Sequence, residues 1–254
     1  MTGAGESADH QVYRLEDVHF EGPNLDLPSP PPDLPYDQFE DWRSIELLAI
    51  NGIPATEEAL LEALRSQSNV LLSAAAHASG SSGLTAAIPL LREVARGPDD
   101  YAAVEAAYAL ARLGDADGAG LLRESLQRPL DAYLSPVLAA GYLARLGDPS
   151  GFPVVRKALG SDLLATKMLA CKQLFFFLPF QGTEDGPGSF VDALGLFEQA
   201  LKDQDTTVQG QALAQLRSLR SVETRPLLEN YVDQVEDGYL HDLARDIVKD
   251  LPRA

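Results

Sequence analysis

The chain has 254 residues, 45% of them hydrophobic, which is enough to build a sizeable core. Its formal net charge is −18, with 38 carboxylates against 20 lysines and arginines, so a nucleic-acid ligand is disfavoured because phosphate contacts need clustered cations. The single cysteine, Cys171, excludes an internal disulfide, and residues 1–10 lack the basic and apolar regions of a secretory signal. We therefore expect a cytoplasmic protein that does not cross a membrane.

Residues 1–41 differ from the rest of the chain and are predicted to form a separate N-terminal segment. They contain ten carboxylates and one base, Arg14, and prolines crowd their second half. Prolines at this density favour extended backbone and oppose helix. Residues 11–20 are rich enough in Val, Tyr, Leu and Phe for a short strand, or for an extended segment docked on the remaining residues. A disordered acidic tail is the alternative.

Residues 42–254 are predicted to be helical. Apolar residues at helical spacing indicate a first helix over 41–52, and Thr56 is placed to cap a second helix that reaches about residue 67. Further helices are expected over 70–79 and 86–96, separated by the Gly-Ser-Ser-Gly turn.

A 23-residue unit then occurs twice, as 104–126 and 137–159, aligned without gaps 33 positions apart. Each copy has an Ala/Leu helix that ends in Ala-Arg-Leu-Gly-Asp, followed by a turn and a second amphipathic helix. Self-similarity at this period is typical of a solenoid, whose stacked repeats favour extended binding surfaces.

The pattern continues downstream with one interruption. A helix over 163–178 precedes a Gly/Pro/acid loop at 181–189, which is longer than the other turns. Helices are predicted again over 190–203 and within 205–235, and a terminal helix over 239–251 has one apolar face, which suits the capping end of an array.

Residues 110–126 and 143–159 resemble HEAT repeats of the short bacterial type, often called PBS-lyase-like. The resemblance rests on the Ala-rich first helix, the Leu-Gly-Asp turn with Pro149 after the Asp, and the Val/Leu pairs of the second helix. It implies an all-α, right-handed α-solenoid whose second helices line a concave face. The match is strongest over 99–160 and does not include residues 1–41.

Members of this family differ in activity. The deoxyhypusine hydroxylases hold iron with His-Glu pairs, whereas none of the four histidines here is followed by Glu. HEAT-like DNA glycosylases use a basic, aromatic groove, which the acidic composition opposes. Bilin lyases and isomerases share the repeat type, but no set of residues in this sequence requires a tetrapyrrole.

Single reactive residues do not indicate a catalytic centre. Cys171 lies among Met168, Leu169 and Leu174, which favours buried helix packing over a nucleophile. His77 has no spaced partner for a metal, so a packed histidine is the simpler interpretation. We therefore predict no catalytic residue, no cofactor and no metal.

Partner binding is predicted at two places. The basic residues of the second helices would form a strip toward the concave face. They are Arg92, Arg96, Arg123, Arg156 and Lys157. The alternative is that they form exposed ion pairs within the chain. Consecutive aromatics cannot all face one side of a helix, so Phe176 and Phe177 would form an apolar patch beside Glu184 and Asp185, unless a neighbouring helix buries them.

The leading functional prediction is a non-enzymatic solenoid that binds a protein partner. Within that class the negative charge favours a bacterial immunity or adaptor protein that binds a basic toxin or effector. The alternatives are a bilin lyase or isomerase and a general scaffold protein. The sequence does not determine the oligomeric state.

Overall fold

A computed structural model describes residues 36–252 apart from 55, 99, 131, 187–188 and 237. The predicted N-terminal strand at 11–20 lies outside the described residues. The described chain forms thirteen α-helices, which are α1 Tyr36–Ile50, α2 Glu57–Ala63, α3 Asn69–Ser81, α4 Ile88–Val94, α5 Asp100–Arg112, α6 Ala116–Ser125, α7 Ser135–Arg145, α8 Phe152–Leu159, α9 Leu164–Leu174, α10 Ala193–Leu201, α11 Thr206–Leu219, α12 Arg225–Gln234 and α13 Tyr239–Asp250.

The helices form an all-α solenoid, which confirms the predicted fold class. The first helices of successive repeats pack side by side in the order α1, α3, α5, α7, α9 and α11. The second helices α4, α6 and α8 lie between consecutive first helices, and α13 closes the array against α11 and α12. A core of alanine and leucine side chains runs along the first helices: nine of the 13 residues of α5 and ten of the 11 residues of α7 are buried.

A repeated glycine turn ends the first helices and fixes where each second helix begins. Gly52, Gly83, Gly114 and Gly147 all have left-handed backbone, with φ between 70° and 88°. In each turn the following residue donates its N–H to a carbonyl five residues earlier, as Asp148 does to Leu143 at 2.8 Å. This is the Schellman arrangement, which favours glycine because a Cβ is strained at positive φ. The same turn therefore ends α1 and α3, which lie upstream of the part where the sequence repeat is clear.

The duplicated units also share a close contact between their two helices. A Cβ on Gly118 would lie 2.3 Å from the backbone nitrogen of Ala111, and one on Gly151, 33 positions later, would lie 2.5 Å from the Cα of Ala140. Neither distance is compatible with a side chain, so glycine at this repeat position lets the second helix lie directly against the first.

The aromatic run after α9 forms a 3-10 helix, Phe175–Phe180, rather than the continuation of an α-helix to residue 178. Pro179 lies inside this segment and cannot donate a backbone hydrogen bond. The predicted 181–189 loop contains two short antiparallel strands, β1 Glu184–Gly186 and β2 Ser189–Phe190. Among the helices that the structure describes, none is both long enough and apolar enough to cross a membrane.

The glycine turn gives a direct test of the repeat geometry. We expect Gly147→Ala to lower the free energy of unfolding by about 1–2 kcal/mol, because an L-residue must then adopt left-handed backbone. Gly160→Ala is the control, since Gly160 ends α8 at φ −87° and an added Cβ meets its nearest atom at an ordinary 3.6 Å. Denaturant unfolding of both variants checks this; an equal loss of stability in the two would contradict the role of the turn.

Candidate functional site

A buried histidine lies between two carboxylates at the centre of the first-helix layer. His77, on α3, is 3% exposed. Its Nδ1 lies 2.8 Å from Glu105 Oε2 on α5, and its Nε2 lies 2.6 Å from Asp41 Oδ1 on α1. Three first helices therefore meet at a single imidazole ring.

Two arginines from the duplicated unit neutralise Asp41 from the other side. Arg112 Nη1 donates to both carboxylate oxygens of Asp41, at 3.0 and 3.1 Å, and to Ser81 Oγ at 2.9 Å. Arg145 occupies the same repeat position 33 residues later and approaches Asp41 to 3.8 Å. The Arg of each Ala-Arg-Leu-Gly-Asp motif thus converges on one acidic residue of α1.

Aromatic rings extend this cluster toward α7. Tyr108 and Tyr142 stack with their centroids 4.0 Å apart, nearly parallel. The Arg145 guanidinium lies 5.0 Å from the Tyr108 ring centre and 5.1 Å from that of Phe176. Tyr142 also donates its hydroxyl to Glu105 Oε1 at 2.6 Å, so both oxygens of that carboxylate are satisfied. We call Asp41, His77, Glu105, Arg112, Tyr142 and Arg145 the histidine cluster.

The cluster sets the protonation state of His77. Burial alone would lower the pKa of His77. The charge of Glu105 and the hydrogen bonds to Asp41 and Glu105 together outweigh burial and raise the pKa from 6.5 to about 9. Burial likewise raises the pKa of Asp41, but the hydrogen bond and charge of His77 and the charges of the two arginines hold it well below its usual value. At neutral pH the ring is an imidazolium that donates from both nitrogens, so neither nitrogen is free to bind a metal or to act as a base.

A groove opens above the histidine cluster. Its volume is about 610 Å³, and it crosses α1, α3, α5, α7 and α9. His77, Glu105 and Tyr142 lie at its floor, and Leu47, Val70, Leu138 and Leu169 are among the apolar residues along its walls. The volume is in the range of small-molecule sites, which are mostly apolar with a few placed polar groups.

Charged groups lie at the rim of the groove. Arg43 on α1 and Lys172 on α9 contribute cations, and Glu46 contributes a carboxylate. Neither Arg43 nor Lys172 forms an ion pair with a carboxylate of the described residues. The groove can therefore pair two carboxylates of a ligand while its walls cover an apolar body.

A metal site is not formed in the part of the chain that the structure describes, where no group of three or more His, Cys, Asp or Glu side chains could hold an ion. Cys171 is fully buried as a free thiol, and burial followed by the charge of Asp203 raises its pKa to about 12. A thiol with so high a pKa is a poor nucleophile at neutral pH.

The structure places three of the predicted partner-binding arginines in contacts between repeats. Arg92 on α4 binds Asp115, the N-cap of α6, at 2.6 Å. Arg123 on α6 binds Asp148, the N-cap of the short 3-10 helix that leads into α8, at 2.6 Å. Arg96 binds Asp117 at 3.1 Å. These ion pairs hold neighbouring repeats together and occupy the guanidinium groups that were expected to face a partner.

The other predicted residues do not gather at one surface. Arg156 and Lys157 are exposed on α8, and Arg156 lies over the Phe152 ring. Phe176 and Phe177 are buried, and Phe177 packs on Phe152 at a centroid distance of 5.3 Å. The expected apolar patch is thus covered by the neighbouring repeat, because α7 and α10 both pack on the 3-10 helix.

Glu184 and Asp185 lie on β1, where Glu184 is exposed and pairs in register with Phe190. They are separate from the groove. A partner-binding role for Glu184, Asp185, Arg156 and Lys157 stays a prediction.

Sequence reasoning missed the histidine cluster. His77 and Asp41 lie 36 positions apart, and no local motif connects them. One signal was present in the sequence: the arginine of the duplicated motif recurs at Arg112 and Arg145, each at the end of an alanine-rich helix, and a buried cation requires a partner. The partner, however, lies on a helix outside the duplicated units.

No family model matches the chain, and no curated protein matches it in sequence. The solved structures that resemble it include the CpcE–CpcF complex of the phycocyanin lyase from Nostoc sp., at 17% identity and a TM-score of 0.47, with 92% of this chain and 100% of that chain covered. An engineered protein matches at the same identity and TM-score, over 84% of this chain and 96% of its own. Both are distant likenesses of fold, and the solenoid itself is defined by the packing of its helices.

The prediction of a non-enzymatic immunity or adaptor protein is corrected by this comparison. The matched solenoid is that of a phycocyanin lyase, which is an enzyme, and it does not support a toxin-binding role. That lyase is a complex of two chains, so a protein partner is compatible with the fold.

The protonation of His77 predicts a pH dependence of stability. The pKa of His77 is raised from 6.5 in the unfolded chain to about 9 in the folded one, so protonated His77 stabilises the folded state. This contribution to the free energy of unfolding is fully present below about pH 6.5 and is lost as the pH rises through 9. We expect unfolding free energy measured from pH 6 to 10 to fall more steeply for the wild type than for His77→Gln. Parallel curves for the two proteins would contradict an imidazolium at this position.

The burial of Cys171 predicts an unreactive thiol. We expect the native protein to react with a thiol reagent such as Ellman's reagent at least 100-fold more slowly than the unfolded chain at pH 8, since thiolate is both scarce and covered. Absorbance of the released dye measures both rates. Rapid stoichiometric reaction of the native protein would show that α9 leaves the thiol accessible.

Proposed function

We propose that the groove binds an elongated, partly apolar carboxylate of the linear tetrapyrrole class, and that the protein handles bilins in the manner of a lyase or isomerase. The observation that carries the proposal is the groove itself, with apolar walls, a fixed charged floor and two cations at its rim. The size of the groove, about 610 Å³, suits a ligand of this class.

The chemistry of an open-chain tetrapyrrole matches these surfaces. Its conjugated body would pack on the leucine and valine side chains of α1, α3, α7 and α9. Its two propionates would pair with Arg43 and Lys172, and its pyrrole N–H groups would donate to carboxylates such as Glu46.

The histidine cluster would support binding without touching the ligand covalently. It fixes α1, α3, α5 and α7 in one arrangement, so the groove is formed before the ligand enters. A pre-formed site avoids the entropic cost of ordering its walls on binding. A reducing, cytoplasmic location fits this proposal, because the one cysteine is a free thiol.

Titration with biliverdin tests the proposal. We expect saturable binding with a red-shifted absorbance band, and an affinity at least tenfold weaker for Lys172→Glu, because a cation at the rim becomes a repelling carboxylate. Lys157→Glu is the matched control, since Lys157 is exposed on α8, outside the groove, and undergoes the same change of charge.

Two results would overturn the proposal. One is the absence of any saturable spectral change with biliverdin. The other is equal weakening by Lys172→Glu and Lys157→Glu, which would show that net charge rather than the groove governs binding. A slow further spectral change after binding would identify conversion of the bilin, and its absence would leave binding without lyase or isomerase chemistry.

A further inference from the structure

A row of exposed apolar side chains follows the N-terminal ends of the first helices. Val70, Tyr101 and Leu134 occupy equivalent positions at the starts of α3, α5 and α7, and Leu164 begins α9. Val70 is 57% exposed and Tyr101 47%. With Tyr133 and Leu163 they make up six of the eleven large apolar side chains that are exposed in the described chain. We call these six residues the apolar edge.

The apolar edge is continuous with the groove. Successive first helices are in contact, and side chains from three of them meet at His77, Glu105 and Tyr142. Val70 and Tyr101 belong both to the edge and to the wall of the groove. Exposed apolar side chains gathered at one end of a helix layer are typical of a surface that another segment covers.

Three of the four helices at the edge have N-termini that favour negative charge, whereas α5 begins at Asp100. The helices α3, α7 and α9 carry no acidic residue in their first turns. The residues before α7 and α9, Leu134 and Leu163, make no side-chain capping hydrogen bond. The positive ends of these helix dipoles are therefore not compensated by the helices themselves, and a nearby carboxylate would be stabilised.

We propose that the apolar edge is the docking site for the N-terminal segment of this same chain, residues 1–35. The segment carries seven carboxylates and one arginine, Arg14, which complements the helix N-termini. Residues 12–20 of that segment include five apolar side chains for the edge itself, which are Val12, Tyr13, Leu15, Val18 and Phe20. Glu16 and Asp17 lie among these apolar residues, so the segment can place a carboxylate beside a helix N-terminus while its apolar side chains cover the edge.

The length of the segment is sufficient. The segment joins the described chain at Tyr36, the first residue of α1. Because α1 runs antiparallel to α3, with Asp41 beside His77 and Ile50 lining the groove with Val70, Tyr36 lies at the end of the layer opposite the edge, roughly 20 Å away along α3. Thirty-five extended residues reach roughly 115 Å at about 3.3 Å per residue. Four adjacent first helices at about 8–10 Å spacing span roughly 30 Å. The segment can therefore follow the whole edge, and since Val70 and Tyr101 also line the groove, it would lie at the groove mouth.

Cleavage by trypsin at Arg14 tests the docking. Arg14 is the only Lys or Arg in residues 1–41, so its cleavage reports on the segment alone. We expect limited proteolysis of the full chain to cut Arg14 at least tenfold faster in a Tyr101→Asp/Leu164→Asp variant than in the wild type, because a docked segment must detach before it is cut. Tyr239→Asp is the control, since Tyr239 is 80% exposed on α13, far along the chain from the edge.

A second full-length variant tests the same contact from the segment side. Val12→Ser/Val18→Ser/Phe20→Ser should increase the cleavage rate equally, whereas Pro30→Ser/Pro31→Ser/Pro32→Ser should leave it unchanged. Circular dichroism confirms that each variant retains its helices. Equal cleavage of the wild type and the edge variant would overturn the proposal.

Protection at Arg14 that grows with protein concentration would also overturn the proposal, because it would assign the edge to a second copy of the chain. The experiment contains no bilin, so its failure leaves the proposed function of the groove standing, and the failure of biliverdin binding leaves the docking standing.

Discussion

The buried imidazolium of His77 is the interaction on which the N-terminal half of the solenoid depends. A charged ring that is almost fully buried is stable only when carboxylates compensate it, and here Asp41 and Glu105 do so from two different helices. The two carboxylates in turn require Arg112, Arg145 and Tyr142. Apolar packing alone tolerates sliding between helices, whereas these directional contacts specify one arrangement of α1, α3, α5 and α7.

This constraint explains why the groove has its shape. The floor of the groove consists of side chains already committed to one another, so its depth and charge are set before any ligand arrives. The walls are formed by apolar side chains of the same helices. At the rim, Arg43 and Lys172 form no ion pair with a carboxylate of the described residues. Rigid floor and charged rim together are the physical basis for proposing a ligand with an apolar body and carboxylates.

Three basic residues of the second helices form the exposed ion pairs that were the alternative to a partner-binding strip. Arg92 binds Asp115, which caps α6, and Arg123 binds Asp148, which caps the short 3-10 helix that leads into α8. The same Asp therefore stabilises a helix N-terminus and joins two repeats, which accounts for its place in the duplicated motif.

The sequence by itself determined the solenoid, because glycine turns, apolar periodicity and the 33-residue duplication are local properties that short segments encode. Helix ends such as Gly114 and Gly147 were readable for the same reason. Only the tertiary structure decided where the site lies. His77, Asp41 and Glu105 are separated by tens of residues, and their charges become informative only when packing removes them from water and brings them together. The tertiary structure also determined that Phe176 and Phe177 are buried, because whether an aromatic run faces solvent depends on the neighbouring repeat rather than on its own sequence.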